Sequence, residues 1–205
     1  MKISLNRNEF IANKLGFLNE ETLLDIGCRD MILKNYLKGK FNYIGLDYTN
    51  DINQSKNFIN HNLENGIPKI DNIDIITAID VLEHLENIHD TFSSLFLLAK
   101  KRIVIALPNM GYYKFRVHFF FTGYLSGKYN FSEKKIFDRH RWIPNYQSIN
   151  YFIKANTPKE WEIIEYNYIA ERKRNYLFYF IEKLLSNIFP SLFVYEKIIF
   201  FNKKN

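Results

Sequence analysis

The chain is poor in cysteine. Cys28 is the only thiol in 205 residues, which excludes an internal disulfide and a metal site built from several thiolates. No apolar run approaches membrane-spanning length, and residues 1–8 lack the apolar core of a secretory signal, so the expected location is the cytoplasm, with no transmembrane segment. A basic stripe is missing too. The net charge of +6 is spread along the chain, lysine and asparagine look as much like AT-rich coding bias as a surface, and nucleic acid is not an expected partner. Repeats, low-complexity linkers and a second domain are absent, so residues 1–205 read as one domain able to bury one core. What the chain does have is a 47% apolar fraction and 17% aromatics, with 19 Phe and 14 Tyr gathered after residue 110.

Hydrophobic periodicity divides the chain into alternating elements. A lead-in helix is predicted over 8–15, strands over 22–27, 41–47, 57–60, 73–79 and 102–107, and helices over 29–38 and 88–100. This alternation predicts right-handed crossovers and a parallel sheet. Residues 51–55 read as polar and weakly structured. Beyond Pro108 the character changes: 111–127 is aromatic and basic, and 128–145 is polar and irregular. A helix (146–155), a strand (161–169), a helix (175–187) and a closing strand (192–201) complete the chain. The Phe119-Phe120-Phe121 run is expected in the core. The helix over 175–187, apolar on more than one face, is expected to pack on a sheet rather than lie on lipid.

The most informative stretch is Thr22-Leu23-Leu24-Asp25-Ile26-Gly27-Cys28-Arg29-Asp30. An apolar strand reaches an acid, then a glycine, then a helical pattern, which is how open α/β sheets hold nucleotide-like ligands. About twenty residues on, the next strand ends at Asp47, whose carboxylate could take both hydroxyls of a ribose. A lone glycine can be only a turn and a lone acid only a cap; the two together at this spacing favour a ligand site. These residues resemble motifs I and II of the class I S-adenosylmethionine-dependent methyltransferases. The family loop usually reads Asp-x-Gly-x-Gly-x-Gly, and this chain keeps Asp25 and Gly27 but has Arg29 and Met31 at the other glycine positions. The resemblance implies an α/β, Rossmann-like, doubly wound, mostly parallel seven-stranded sheet whose last strand enters antiparallel between the fifth and sixth. It implies S-adenosyl-L-methionine as cofactor. Asp25 and Gly27 would shape the methionine loop, Asp47 would hold the ribose, Asn62 the adenine edge and Tyr48 its face, with Cys28, Leu63 and Ile79 also in the pocket. Cys28 is expected to serve as a small apolar residue rather than a nucleophile.

The chemistry is expected at Asp80-Val81-Leu82-Glu83-His84, at the carboxyl edge of the sheet. If this segment opens a helix, Asp80 faces both Glu83 and His84. His84 then reads as general base, with Asp80 and Glu83 orienting it. Some relatives hold a divalent cation with an acid-x-x-Glu-His sequence; a metal on Asp80, Glu83 and His84 is the less favoured expectation.

Residues 108–155 form the expected acceptor-binding part, after a cofactor-binding half (1–107) and before closing strands and a helix (156–205). The stretch Pro108-Asn109-Met110-Gly111-Tyr112-Tyr113-Lys114-Phe115-Arg116 resembles the MetW-like branch of the superfamily (methyltransferase-11-or-23-like), in which such a stretch opens an aromatic, basic helix. Arg116, Arg139, His140 and Arg141 offer donors for phosphate or carboxylate, and Tyr112, Tyr113 and Trp142 offer stacking faces. Asn109 joins them as a candidate acceptor contact. The expected activity is methylation of a small anionic or sugar-containing molecule, such as a cell-surface glycan or capsule precursor. The alternative is a MetW-like accessory protein that supports a homoserine acyltransferase. Lys183, Lys197, Lys203 and Lys204, set between apolar patches, also raise peripheral membrane contact.

Overall fold

The structure is a computed structural model that describes residues 6–16, 21–49, 57–125, 129, 133, 139–169 and 176–204. The segment 51–55 lies outside the described residues. Seven strands form one sheet in the order β3-β2-β1-β4-β5-β7-β6. These are β1 (Thr22–Ile26), β2 (Asn42–Asp47), β3 (Phe58–Asn60), β4 (Ile75–Ile79), β5 (Arg102–Pro108), β6 (Trp161–Tyr168) and β7 (Glu196–Lys203). The first five pair in parallel, and β7 runs antiparallel to both β5 and β6. The Rossmann-like sheet with one antiparallel strand is therefore as expected.

The central strands are apolar on both faces because helices cover both. On one side, α1 (Arg7–Leu15) and α2 (Ile32–Leu37) pack Ile11, Leu15, Leu33 and Leu37 onto Leu23, Tyr43, Ile75, Val104, Ile198 and Phe200. On the other, α3 (Ile88–Leu98) and α5 (Tyr146–Asn156) bring Phe92, Leu95, Phe96, Ile149 and Ile153 against Leu24, Ile76, Ile103, Ile105 and Phe201. Strand β5 is sealed from both sides: Ile103 through Ala106 have no exposed surface. Helix ends are locally encoded. The Asn6 side chain accepts from Glu9 N at the start of α1, and Asn145 and Ser148 form a reciprocal capping box on α5.

Of the boundaries that differ from the sequence reading, three have a clear backbone cause. β1 stops at Ile26, and Gly27 is already a left-handed turn residue. Helix α2 starts only at Ile32, because Arg29 and Met31 also have positive φ. Closing strand β7 begins at Glu196 rather than residue 192, because Pro190, at the first position of a helix, starts the short helix α7 (Pro190–Phe193).

Three further helices sit at the carboxyl edge of the parallel strands. Helix α4 (Tyr113–Thr122) follows β5, and α6 (Tyr176–Ile188) with α7 fills the β6–β7 connection. The register Pro108↔Glu196 places the end of that connection beside the carboxyl end of β5. Neither α4 nor α6 contributes to either core. The core expectation for Phe119-Phe120-Phe121 is thus overturned: these rings are 51%, 82% and 78% exposed. Helix α6 likewise does not cover the sheet.

Candidate functional site

The site begins where β1 ends. Gly27 has φ +67°, and a Cβ there would lie 2.3 Å from Val81 Cγ2, so both backbone conformation and space demand glycine. Its N–H donates to Leu46 O at 2.7 Å, and that of Cys28 to the same carbonyl at 3.3 Å, which fastens the turn to the end of β2. The next turn is left-handed at Arg29 (φ +47°) and Met31 (φ +51°), a conformation usually left to glycine. The turn thus takes left-handed backbone at three positions, of which only Gly27 is glycine.

Asp47 closes the other side. Its Oδ2 accepts from Arg29 N and its Oδ1 from Tyr48 N, both at 2.7 Å. A carboxylate offers about four acceptor positions, so each oxygen keeps capacity for a further donor, such as a vicinal diol. Tyr48 is 55% exposed beside it. Leu63 and Cys28 are buried and Ile79 is half-buried. Asn62 is exposed; its side-chain carbonyl already accepts from Glu64 N at 3.0 Å, capping the single 3-10 turn Leu63–Asn65. Burial, with the charges of Asp25 and Asp47 adding, pushes the Cys28 thiol up to about 12, which suits a packing residue and not a nucleophile.

Asp25 is placed differently from its neighbours. It is buried beneath the loop, with Tyr43 OH and Thr77 Oγ1 each donating to one carboxylate oxygen at 2.6 Å. Burial pushes its carboxyl up to about 6, against the opposing pull of the two hydroxyls. Its two hydrogen bonds tie β1 to β2 and to β4. Tyr43 and Thr77 were not foreseen, although Thr77 is the register partner of Asp25 on β4, and a polar pair on neighbouring apolar strands is a readable signal.

The polar cluster after β4 departs from the expected helical turn. Asp80 has φ +54° and precedes the single 3-10 turn Leu82–His84. It therefore does not share a face with Glu83 and His84. Instead Arg7 Nη1 donates to Asp80 Oδ2 at 2.6 Å and to buried Glu196 Oε1 at 2.8 Å, which ties the start of α1 to the end of β4 and the start of β7. Burial, with Asp80 adding to it, holds the Glu196 carboxyl well above the usual range, and Arg7 opposes the shift. Nothing in the spacing of Arg7 or Glu196 announces this pairing.

Glu83 and His84 gain a different third member. Glu83, His84 and His140 each place one ligand atom within 4.8 Å of the others, and the two imidazole rings stand edge-on with centroids 4.3 Å apart. One carboxylate and two imidazoles have the chemistry to hold a divalent cation. His84 Nδ1 lies 3.1 Å from Arg139 O. A carbonyl can only accept, so Nδ1 carries the proton and Nε2 is the basic nitrogen, 4.0 Å from Glu83 Oε1. His140 Nδ1 is 2.9 Å from Tyr129 OH.

The expected acceptor residues separate into two groups. Asn109 has no exposed surface, and its amide is fully used: Nδ2 donates to Ser191 O and Val194 O, and Oδ1 accepts from Gly111 N and Tyr146 N. Tyr112 is 1% exposed and donates to Glu182 at 2.5 Å. Arg141 donates to His84 O and pairs with Glu86 and Glu64. Asn109 and Tyr112 brace the site, a correction to their expected role as acceptor contacts, since both are buried with their polar groups engaged by the protein; Arg141, although paired, is exposed and keeps N–H donors for a ligand. Arg116 and Arg139 are exposed, and Tyr113 and His140 are half-buried, so these four remain accessible to a ligand.

Residues 5–151 match a protein family described as "Methyltransferase domain". No match was found among curated proteins. Among solved structures, the small RNA methyltransferase HEN1 is similar over 100% of this chain at 14% identity with a TM-score of 0.63; this chain covers 26% of that one. A SAM-dependent methyltransferase from Archaeoglobus fulgidus is similar at 15% identity and TM-score 0.57, over 97% of this chain and 95% of that one. Magnesium protoporphyrin IX methyltransferase from Synechocystis PCC 6803, solved with bound SAH, gives 15% identity and TM-score 0.60 over 96% and 82%.

Proposed function

We propose that this chain, which belongs to the methyltransferase-domain family, uses S-adenosylmethionine to O-methylate a small anionic or sugar-containing acceptor, such as a glycan or capsule precursor. The observation that carries the reading is Asp47. It is the carboxylate at the end of β2, held by the Arg29 and Tyr48 amides at 2.7 Å and able to accept further donors. The residues present fit the cofactor: a diol acceptor lies beside a glycine turn, with an exposed aromatic ring next to it.

Bound S-adenosylmethionine supplies an electrophilic sulfonium methyl whose departing thioether needs no proton. The protein supplies the rest. Asp47 takes the ribose hydroxyls, Tyr48 and Asn62 meet the adenine, and the Gly27 turn makes room for the methionine part. His84, its tautomer set by Arg139 O, offers Nε2 to the acceptor hydroxyl, and Glu83 favours the imidazolium that forms. Arg116 and Arg139 match an anionic group on the acceptor, and Tyr113 a flat or sugar face.

Titration calorimetry with S-adenosylhomocysteine tests the reading. The wild-type chain should give a clear heat of binding, and Asp47→Asn, which loses one acceptor oxygen at the diol, should bind at least about tenfold more weakly. No heat at high micromolar ligand would overturn it and leave the accessory-protein alternative.

A further inference from the structure

Helix α6 is built inside out. Among its described side chains the buried ones are Glu182 and Ser186, one turn apart, while Leu177, Phe178, Phe180, Leu184 and Ile188 are 53–66% exposed. Glu182 accepts from Tyr112 OH, immediately before α4, so the inward face is fixed by polar contacts. Helix α4 has no buried residue. It adds Val117, Phe119, Phe120 and Phe121 to the exposed set, and beside it an apolar groove of about 660 Å³ runs between Met110, Phe115, Phe119 and Leu125. Scattered apolar residues on a surface are ordinary, but two whole helices turned outward, on one edge of the sheet, are not.

From this we propose that α4 and α6 dock the protein on the surface of an anionic lipid bilayer. The charge pattern selects this occupant. The two helices carry Lys114, Arg116 and Lys183, and their only carboxylate, Glu182, is buried. A two-fold pairing of copies would bring these cations towards their own kind, whereas an anionic leaflet complements them. Aromatic and long aliphatic side chains suit the boundary between headgroups and acyl chains. Among the described residues no helix is long and apolar enough to cross a membrane. Of the lysines singled out in the sequence, only Lys183 lies on these helices; Lys197 is buried and paired with Glu165.

The docking face lies on the same edge as the methyl-transfer site, but it is tested without methyl transfer. Flotation of the full chain with phosphatidylglycerol-containing vesicles is compared with flotation on pure phosphatidylcholine. Phe120→Ser/Phe121→Ser removes the two most exposed rings of α4 and should keep the melting temperature and S-adenosylhomocysteine binding. The wild-type chain should float with anionic vesicles, and the double variant should bind at least about tenfold more weakly. Leu97→Ser, at an 85% exposed position on α3, should float like the wild type. Failure of the wild type to float with anionic vesicles would overturn the proposal. So would an equal loss in Leu97→Ser, or a self-association that the double variant abolishes.

Discussion

Replacing Arg29 with glycine should stabilise the protein. Arg29 sits at φ +47° with its side chain exposed, and a non-glycine residue in the left-handed region costs about 1–2 kcal/mol. Glycine relieves that strain but adds unfolded-chain freedom worth about 0.5–1 kcal/mol. The net gain, taking like ends of the two ranges, is about 0.5–1 kcal/mol, or a rise of roughly 1–4 °C in Tm for a chain of this size. The backbone N–H that donates to Asp47 survives, so affinity for S-adenosylhomocysteine should be kept. Met31 has the same backbone conformation but a different outcome. Its side chain is half-buried, with Cγ 3.5 Å from where a Gly45 Cβ would stand, and it packs on the α1–α2 core. Deleting it forfeits about 2–3 kcal/mol of packing, so Met31→Gly should lower Tm. Differential scanning calorimetry of both variants, with and without ligand, decides the matter. If Arg29→Gly melts about 2 °C or more below wild type, or if Met31→Gly gains as much as Arg29→Gly, the strained-loop reasoning is wrong.

Two other expectations follow from the same region. Gly27→Ala combines left-handed strain with a Cβ 2.3 Å from Val81 Cγ2. It should cost about 2–4 kcal/mol in urea unfolding, and Val81→Ala in that background should recover the steric part but not the strain; full recovery would refute the backbone argument. Asp25 titrates at about 6 when folded, above an unfolded carboxyl near ~4. The folded state therefore keeps its proton longer, and this group's stabilising contribution falls as pH rises through that window, by up to about 3 kcal/mol. Asp25→Asn should flatten the stability profile between about pH 4 and 6. At pH 8 it should exceed wild type by about 1–2 kcal/mol, after discounting the charged acceptor lost to Tyr43 and Thr77. An unchanged slope would sink the assignment.

The sheet was legible because its evidence is local. Apolar runs ending in Asp25-Ile26-Gly27 and Leu46-Asp47 carry their own periodicity and punctuation, and the strand order followed from the family resemblance. The coupling between Arg7, Asp80 and Glu196 was not legible, because it joins residues far apart in sequence and no spacing rule reaches that far. Asp80 was misread for a narrower reason: one residue at φ +54° broke the helical turn that the acid-x-x-Glu-His spacing assumes. Asn109 and Tyr112 read as ligand contacts in the sequence because polar residues beside a site look alike there; only their engaged partners distinguish a brace from a contact. The Phe119-Phe120-Phe121 run misled in the opposite sense. Hydrophobicity predicts burial away from water, but it does not say whether the covering partner is this chain.

The placement of β7 between β5 and β6 has a consequence for synthesis. Until residues 196–203 have left the ribosome, Ile103 to Leu107 form the rim of an unfinished sheet, and that rim is among the most apolar stretches of the chain. A nascent or truncated product therefore presents a naked, sticky border that invites pairing with other chains. Soluble yield should depend steeply on whether this last segment is intact.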